Sequence, residues 1–178
     1  MTFNLIVAST DSSEPFSEGE KSYIECPEEY EGKRPIVFMA GGISGCSDWQ
    51  TTVKHLIHKQ CPGLVPLNPR RLNFDVHQKN VHHEQIQWEF DALRKSAVII
   101  FWFPKETLCP ITLYELGTWS VLHKTHGSDI IVGTDPKYAR AMDVKTQLSL
   151  LTESDFPIAH SLQDLVNSLQ KWWEDHQE

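Results

Sequence analysis

The residues best suited to chemistry are two glutamates, a glycine-rich turn and a pair of arginines. Glu115 follows the apolar run that ends at Pro104 and sits where a helix opens. A carboxylate there, facing the ends of strands, can attack an electrophilic carbon or carry a proton. The competing reading is local. Thr112-x-x-Glu115 has the form of a capping box, with Glu115 at the third helical position. The two roles exclude each other, because a carboxylate folded onto its own helix cannot reach a substrate. Glu89 lies three residues after Ile86 and four before Leu93, on the side that the spacing marks as apolar. A carboxylate there is costly unless paired or hydrogen-bonded. It either snorkels to water from an edge or orients an arginine or a substrate hydroxyl.

The turn Ala40-Gly41-Gly42-Ile43-Ser44-Gly45 follows an apolar run and precedes a helix. Glycines there let backbone N–H groups approach a ligand, and the helix N-terminus favours an anion. Gly41, Gly42, Ile43 and Ser44 are therefore candidate ligand contacts, although an ordinary tight turn accounts for the same residues. Asn68-Pro69-Arg70-Arg71, with Asp75 following, places two arginines at a strand end. Arg70 and Arg71 could grip a phosphate or carboxylate bidentately, or form a solvated loop or an ion pair with Glu89. Trp102 and Phe103, at the end of the most hydrophobic segment, are the aromatics placed to stack on a planar base. His77, His82 and His83 cluster without metal-ligand spacing, so no metal is expected. Cys26, Cys46, Cys61 and Cys109 show no C-x-x-C pair and read as reduced thiols of a cytoplasmic protein.

These residues must be held by strands alternating with helices. Short apolar runs at Ile36–Ala40, Leu64–Leu67, Ala97–Phe103, Ile130–Val132 and Phe156–Ala159 read as buried strands. Helical spacing follows each of the first four. Ser47-x-x-Gln50 has the form of a capping box before Trp49, Val53, Leu56 and Ile57. Ile86, Phe90 and Leu93 form a stripe, a helix runs from Thr112 to about His126, and another covers Val144–Leu151. Leu162, Leu165, Val166, Leu169, Trp172 and Trp173 mark a last helix. Such alternation gives a doubly wound α/β domain, with an about five-stranded parallel sheet and helices on both faces. Ligands bind such sheets beyond the carboxyl ends of the strands, at a topological switch point.

The chain has 178 residues, the size of one domain, here expected over residues 22–178. Residues 1–34 carry eight acidic and three basic side chains, and residues 1–21 read as a flexible acidic extension with a strand possible at Phe3–Ala8. The formal net charge is −8, which argues against a nucleic-acid polymer as partner. The longest apolar run, Ala97–Pro104, is too short to span a bilayer, and the N-terminus lacks a secretion-signal pattern.

Ile36–Gln50 (IVFMAGGISGCSDWQ), Leu67–Arg71 (LNPRR), Gln85–Glu89 (QIQWE) and Phe101–Gly117 (FWFPKETLCPITLYELG), in that order, resemble the nucleoside 2-deoxyribosyltransferase-like family. Similarity extends to Gly133–Val144, for coverage of roughly Tyr23 to Leu169. The resemblance implies a flavodoxin-like fold and no cofactor. It implies that Glu115, in Glu115-Leu116-Gly117, attacks the anomeric carbon of a nucleoside or nucleotide, with the turn Gly41–Ser44 against the ligand. The (deoxy)ribosyl group then passes to another base or to water. Homo-oligomers, dimers or larger, with shared sites are also implied, and Tyr138–Asp143 is the segment that would reach a neighbour. Two positions depart from the better-known transferases. Cys109 stands where they carry an aspartate that handles the base, and Ala97 replaces a second aspartate. Base recognition then falls to Asp48, Glu106 or backbone groups, and Cys109 stays a candidate ligand contact. The same departures motivate an alternative: a non-catalytic module that binds or senses a nucleotide.

Overall fold

A computed structural model describes residues 16, 19–71 and 80–177. The expected strand at Phe3–Ala8, most of the acidic extension, Asp75 and His77 lie outside the described residues. The strands are β1 (Ile24–Glu25), β2 (Ile36–Gly41), β3 (Val65–Asn68), β4 (Val98–Phe103), β5 (Asp129–Thr134) and β6 (Ile158–Ala159). The helices are α1 (Trp49–Gln60), α2 (Val81–Lys95), α3 (Pro110–His126), α4 (Ala141–Thr152) and α5 (Leu162–Asp175). All strands run parallel in the order β1-β3-β2-β4-β5-β6. Without β1 this is the 2-1-3-4-5 order of a flavodoxin-like sheet. The sixth strand, β1, is too short to show a period of its own. It adds to the edge, pairing Ile24 with Leu67 and Glu25 with Asn68.

The strands bury because they are apolar on both sides. Every residue of β4, Val-Ile-Ile-Phe-Trp-Phe, is buried. Alternation then sorts the side chains by face. Phe38, Ala40, Phe101, Phe103 and Val132 meet α2, α3 and α4, together with Leu93, Leu116, Val144 and Leu148. Val37, Met39, Ile100 and Trp102 meet α1 and α5, against Val53, Ile57, Leu165 and Leu169. Full burial of such side chains contributes about 1.5–3 kcal/mol each. No helix among the described residues is long and apolar enough to cross a membrane.

Three local expectations are corrected. The capping box Ser47-x-x-Gln50 does not form. Asp48 caps α1 instead, accepting from the Thr51 amide at 3.1 Å, and Gln50 is fully buried with other partners. Helix α3 begins at Pro110, two residues before Thr112, because proline suits a first helical position that needs no N–H. Helix α2 turns only the Leu93 end of its apolar stripe inward. Ile86 and Phe90 are 66% and 54% exposed, while Val81, Gln85, Trp88, Glu89, Ala92 and Leu93 turn inward. The inward side mixes polar with apolar residues, so apolar spacing placed Leu93 correctly but not Ile86 and Phe90.

Candidate active site

The chain leaves β2 toward one face of the sheet and leaves the adjacent strand β4 toward the other. Their diverging ends open a cleft, the switch point of a doubly wound sheet. A cavity of about 240 Å³ lies there. Its floor is Phe38 and Ala40, its walls are the turn Gly41–Ser44 and the start of α3, and Pro69 and Glu89 close the side.

The turn is held from behind. The Gly42 carbonyl accepts from Trp49 Nε1 at 2.9 Å, from Gln50 Nε2 at 3.2 Å and from Arg70 Nη2 at 3.4 Å. Arg70 also donates to Gln50 Oε1 at 3.0 Å and to the Ser47 carbonyl at 3.1 Å, with Asp48 Oδ1 at 3.6 Å. Two glycines are required. A Cβ on Gly41 would lie 2.5 Å from the Trp102 carbonyl and from the Trp49 ring. On Gly42 it would lie 2.8 Å from Pro104 and 3.0 Å from the sulfurs of Cys46 and Cys109.

The opposite wall is the first two turns of α3. Cys109 precedes the helix with φ +48°, and no side chain caps the helix start. Leu113 is the first amide bonded within the helix, to the Cys109 carbonyl. The amides of Ile111 and Thr112 therefore stay open beside the cavity, where the helix dipole favours negative charge. Glu115 is the sixth residue of α3 and half-buried. It is not folded back on Thr112, which is itself an interior helical residue. Burial, and then the charge of Glu89, push its carboxyl up to about 8, and no hydrogen bond opposes them.

Glu89 reaches the cavity from α2 with its geometry fixed. Gln85 Nε2 donates to Glu89 Oε1 at 2.6 Å and to the Pro69 carbonyl at 2.7 Å. The Cys26 thiol donates to Gln85 Oε1 at 3.1 Å, and Arg71 Nε donates to the Cys26 sulfur at 3.2 Å. Burial raises the Glu89 carboxyl, while the Gln85 bond and the Arg71 charge pull it down.

The structure thus brings together Gly41, Gly42, Ile43, Ser44, Glu89, Cys109 and Glu115. It does not bring the remaining candidates to the cavity. Arg70 braces the turn, and Arg71 pairs with Glu84 at 2.9 Å rather than with Glu89. Asp48 is a helix cap. Trp102 points to the α1 and α5 face, since strand alternation sends it opposite to Phe101. Phe103 lies on the cavity's face but packs against Tyr138, ring centres 5.2 Å apart. Tyr138 itself is buried and donates to the Leu108 carbonyl at 2.9 Å, while Met142 nearby is 81% exposed. Phe38, Ala40, Pro69, Thr107 and Pro110–Thr112 line the cavity without having been singled out. Alternation along β2 was the available signal, since Phe38, Ala40 and Gly42 share one side.

A doubly wound sheet with open amides and an unbonded carboxyl at its switch point defines a class: flavodoxin-like α/β proteins. Within it, the chain belongs to the nucleoside 2-deoxyribosyltransferase-like family, which residues 34–134, more than half of its length, match. The match is shorter than the resemblance read from the motifs, and Tyr138–Asp143 lies beyond it. No curated protein matches the chain.

Proposed function

We propose that the protein breaks the N-glycosidic bond of a (deoxy)nucleoside or nucleotide, with Glu115 as nucleophile, and passes the sugar to another base or to water. One observation carries this reading: Glu115 projects from α3 into a cavity at the switch point with no hydrogen bond to hold it elsewhere. The glycosidic bond breaks through an oxocarbenium-like state, which a carboxylate oxygen beneath the anomeric carbon stabilises. Capture as a glycosyl ester divides the displacement into two steps and retains configuration overall. The departing base needs a proton or a hydrogen bond. Glu89, fixed by Gln85, is the second carboxyl at the cavity and is placed for that task or for a sugar hydroxyl. The open amides of Ile111 and Thr112 favour an electron-rich group of the substrate.

The nucleophile acts ionised. With its carboxyl at about 8, kcat/KM rises with pH through that region in the free enzyme. The test is incubation with purine and pyrimidine (deoxy)nucleosides and their monophosphates, with and without a free base. Release of base by the wild type and not by Glu115→Ala supports the reading. Exchange without hydrolysis selects a transferase, and release from no substrate removes the reading.

A second reading is favoured by Cys109, a neutral thiol pushed up to about 11 by burial, at the position that resembles the transferases' base-handling aspartate. The cavity then binds a nucleotide without turnover. Thermal stabilisation by a nucleotide that is recovered intact distinguishes it.

Self-association belongs to the same proposal. Ile86 and Phe90 on α2, and Ile111 and Tyr114 on α3, are all more than half exposed. Ile111 itself lines the cavity and the others are close in sequence to the lining residues Glu89 and Glu115, so a second copy covering them would sit at the cavity mouth. Light scattering on the wild type and on Ile86→Glu/Phe90→Glu reads the oligomeric state.

A further inference from the structure

The glycine turn is flanked by two free thiols whose sulfur chemistry plays no part in glycosyl transfer. A Cβ placed on Gly42 would lie 3.0 Å from Cys46 Sγ and 3.0 Å from Cys109 Sγ. The two sulfurs are therefore no farther apart than twice that distance, 6.0 Å. We propose that Cys46 and Cys109 form a peroxide-oxidisable dithiol, closing to a disulfide that ties the glycine turn to the start of α3.

The two residues have different roles. Cys46 is half-buried and takes a contact from Arg70 Nη2 at 3.6 Å, whereas Cys109 is 5% exposed. Cys46 meets the oxidant first. Its sulfur attacks a peroxide oxygen, the O–O bond breaks, and a sulfenic acid and a molecule of water or alcohol result. Cys109 sulfur then displaces the sulfenic oxygen, which leaves as water with the Cys109 proton. Two thiols are oxidised and one peroxide is reduced. Closing requires Cys46 to give up long contacts with the Ile43 carbonyl and Arg70 Nη2, and Cys109 one with the Thr107 carbonyl, all at 3.6 Å. The turn has room to follow, since Ser44 and Gly45 are exposed and a Cβ on Gly45 would meet nothing.

The cross-link would span the cavity wall, because Gly42 and Cys109 both line it. Burial raises both thiols. Arg70 opposes this at Cys46, while Glu106 and Asp48 reinforce it, and at Cys109 the reinforcing groups are Cys46 and Glu106. Oxidation is therefore slow at neutral pH and accelerates by about tenfold per pH unit below the thiol pKa.

The test uses the full chain, hydrogen peroxide and intact-mass and peptide analysis, and it depends on no turnover. The expected product has lost two hydrogen masses and two of its four free thiols, and yields a Cys46–Cys109 cross-linked peptide. Dithiothreitol restores it, and neither Cys46→Ser nor Cys109→Ser forms it. Nucleotide-induced thermal stabilisation, where the reduced protein shows it, is lost on oxidation and returns on reduction. Sulfinic acid on separate cysteines, a link that engages Cys26 or Cys61, or a covalent dimer would each overturn the proposal. Because the wild type carries the primary readout, a variant that fails to fold leaves the test decisive.

Discussion

The two loops that leave the central strands are built on opposite principles. After β2, the turn that bears on the cavity is tied down from behind at its Gly42 carbonyl. Gly42 accepts three hydrogen bonds, and Arg70 and Gln50 bond each other as well as the backbone. After β4, the partners are withheld. The helix start has no side-chain cap, Cys109 holds a left-handed conformation, and the Glu115 carboxyl has no hydrogen bond. Buried polar groups left without partners cost free energy. Holding such groups open against a braced wall is how a fold keeps donors and acceptors for a substrate. The first loop is a frame and the second is the reactive edge.

The largest effect should come from the reactive edge. Glu115→Gln removes the nucleophile with little change of shape, and base release should fall about a thousandfold or more, measured by chromatography of released base. Stability should move the other way. Glu115 has an ordinary value of 4.5 and is raised to about 8 in the fold. A raised carboxyl favours the folded state while protonated, and that contribution disappears as pH rises from 4.5 through 8. Glutamine does not titrate. The variant should therefore gain thermal stability relative to the wild type at pH 9 and little at pH 4. Equal melting shifts at both pH values would mean that the carboxyl is not held out of water.

The frame should fail differently. Gln50 is fully buried, and Gln50→Ala leaves Arg70 and the Gly42 carbonyl each short of a partner. Urea unfolding should show a loss of about 1–3 kcal/mol. The turn loses its brace, so KM should rise more than kcat falls. A variant that loses kcat alone would place Gln50 with the reactive edge and erase the contrast.

The frame and the edge were not equally legible in the sequence. The sheet could be read from the runs Ile36–Ala40 and Ala97–Phe103, because parallel strands buried on both faces are apolar throughout. The edge strand β1 could not, since two residues carry no period. Glu115, Glu89 and Gly41–Ser44 were legible because glycines and carboxylates beside apolar runs are unusual. Arg70 was open to two readings, because an arginine that braces a backbone and one that grips a substrate look alike until the partners are known; Gln50, which its spacing puts in a capping box, is instead the buried partner of Arg70. Ile86 and Phe90 misled because α2 turns its mixed face, with Gln85, Glu89 and Leu93, inward. Trp102 and Phe103 were chosen by position along β4, when alternation and packing decide what an aromatic touches.

A finer test concerns how Glu89 speaks to Glu115. The charge of Glu89 helps raise the Glu115 carboxyl. Glu89→Gln removes that charge and should move the rising limb of the kcat/KM profile to lower pH. Gln85→Ala leaves the charge but frees its position, so it should lower kcat while the limb stays closer to the wild-type pH. An unmoved limb in Glu89→Gln would assign the whole shift to burial.

The smallest effect belongs to the outermost part of the frame. Asp48 caps α1 through the Thr51 amide and the Thr51 hydroxyl, the latter at 2.7 Å, and stands 3.6 Å from Arg70. Asp48→Ala should cost about 1 kcal/mol, as the loss of an N-cap does. Arg70 keeps its bonds to Gln50, Gly42 and Ser47, so the turn should hold and base release should stay near the wild-type rate. Asp48→Asn separates the two duties of this side chain. It can still cap but no longer carries charge toward Arg70, and it should recover most of the lost stability. If it recovers none, the ion pair rather than the cap holds that end of the turn, and the frame is more electrostatic than its hydrogen bonds imply.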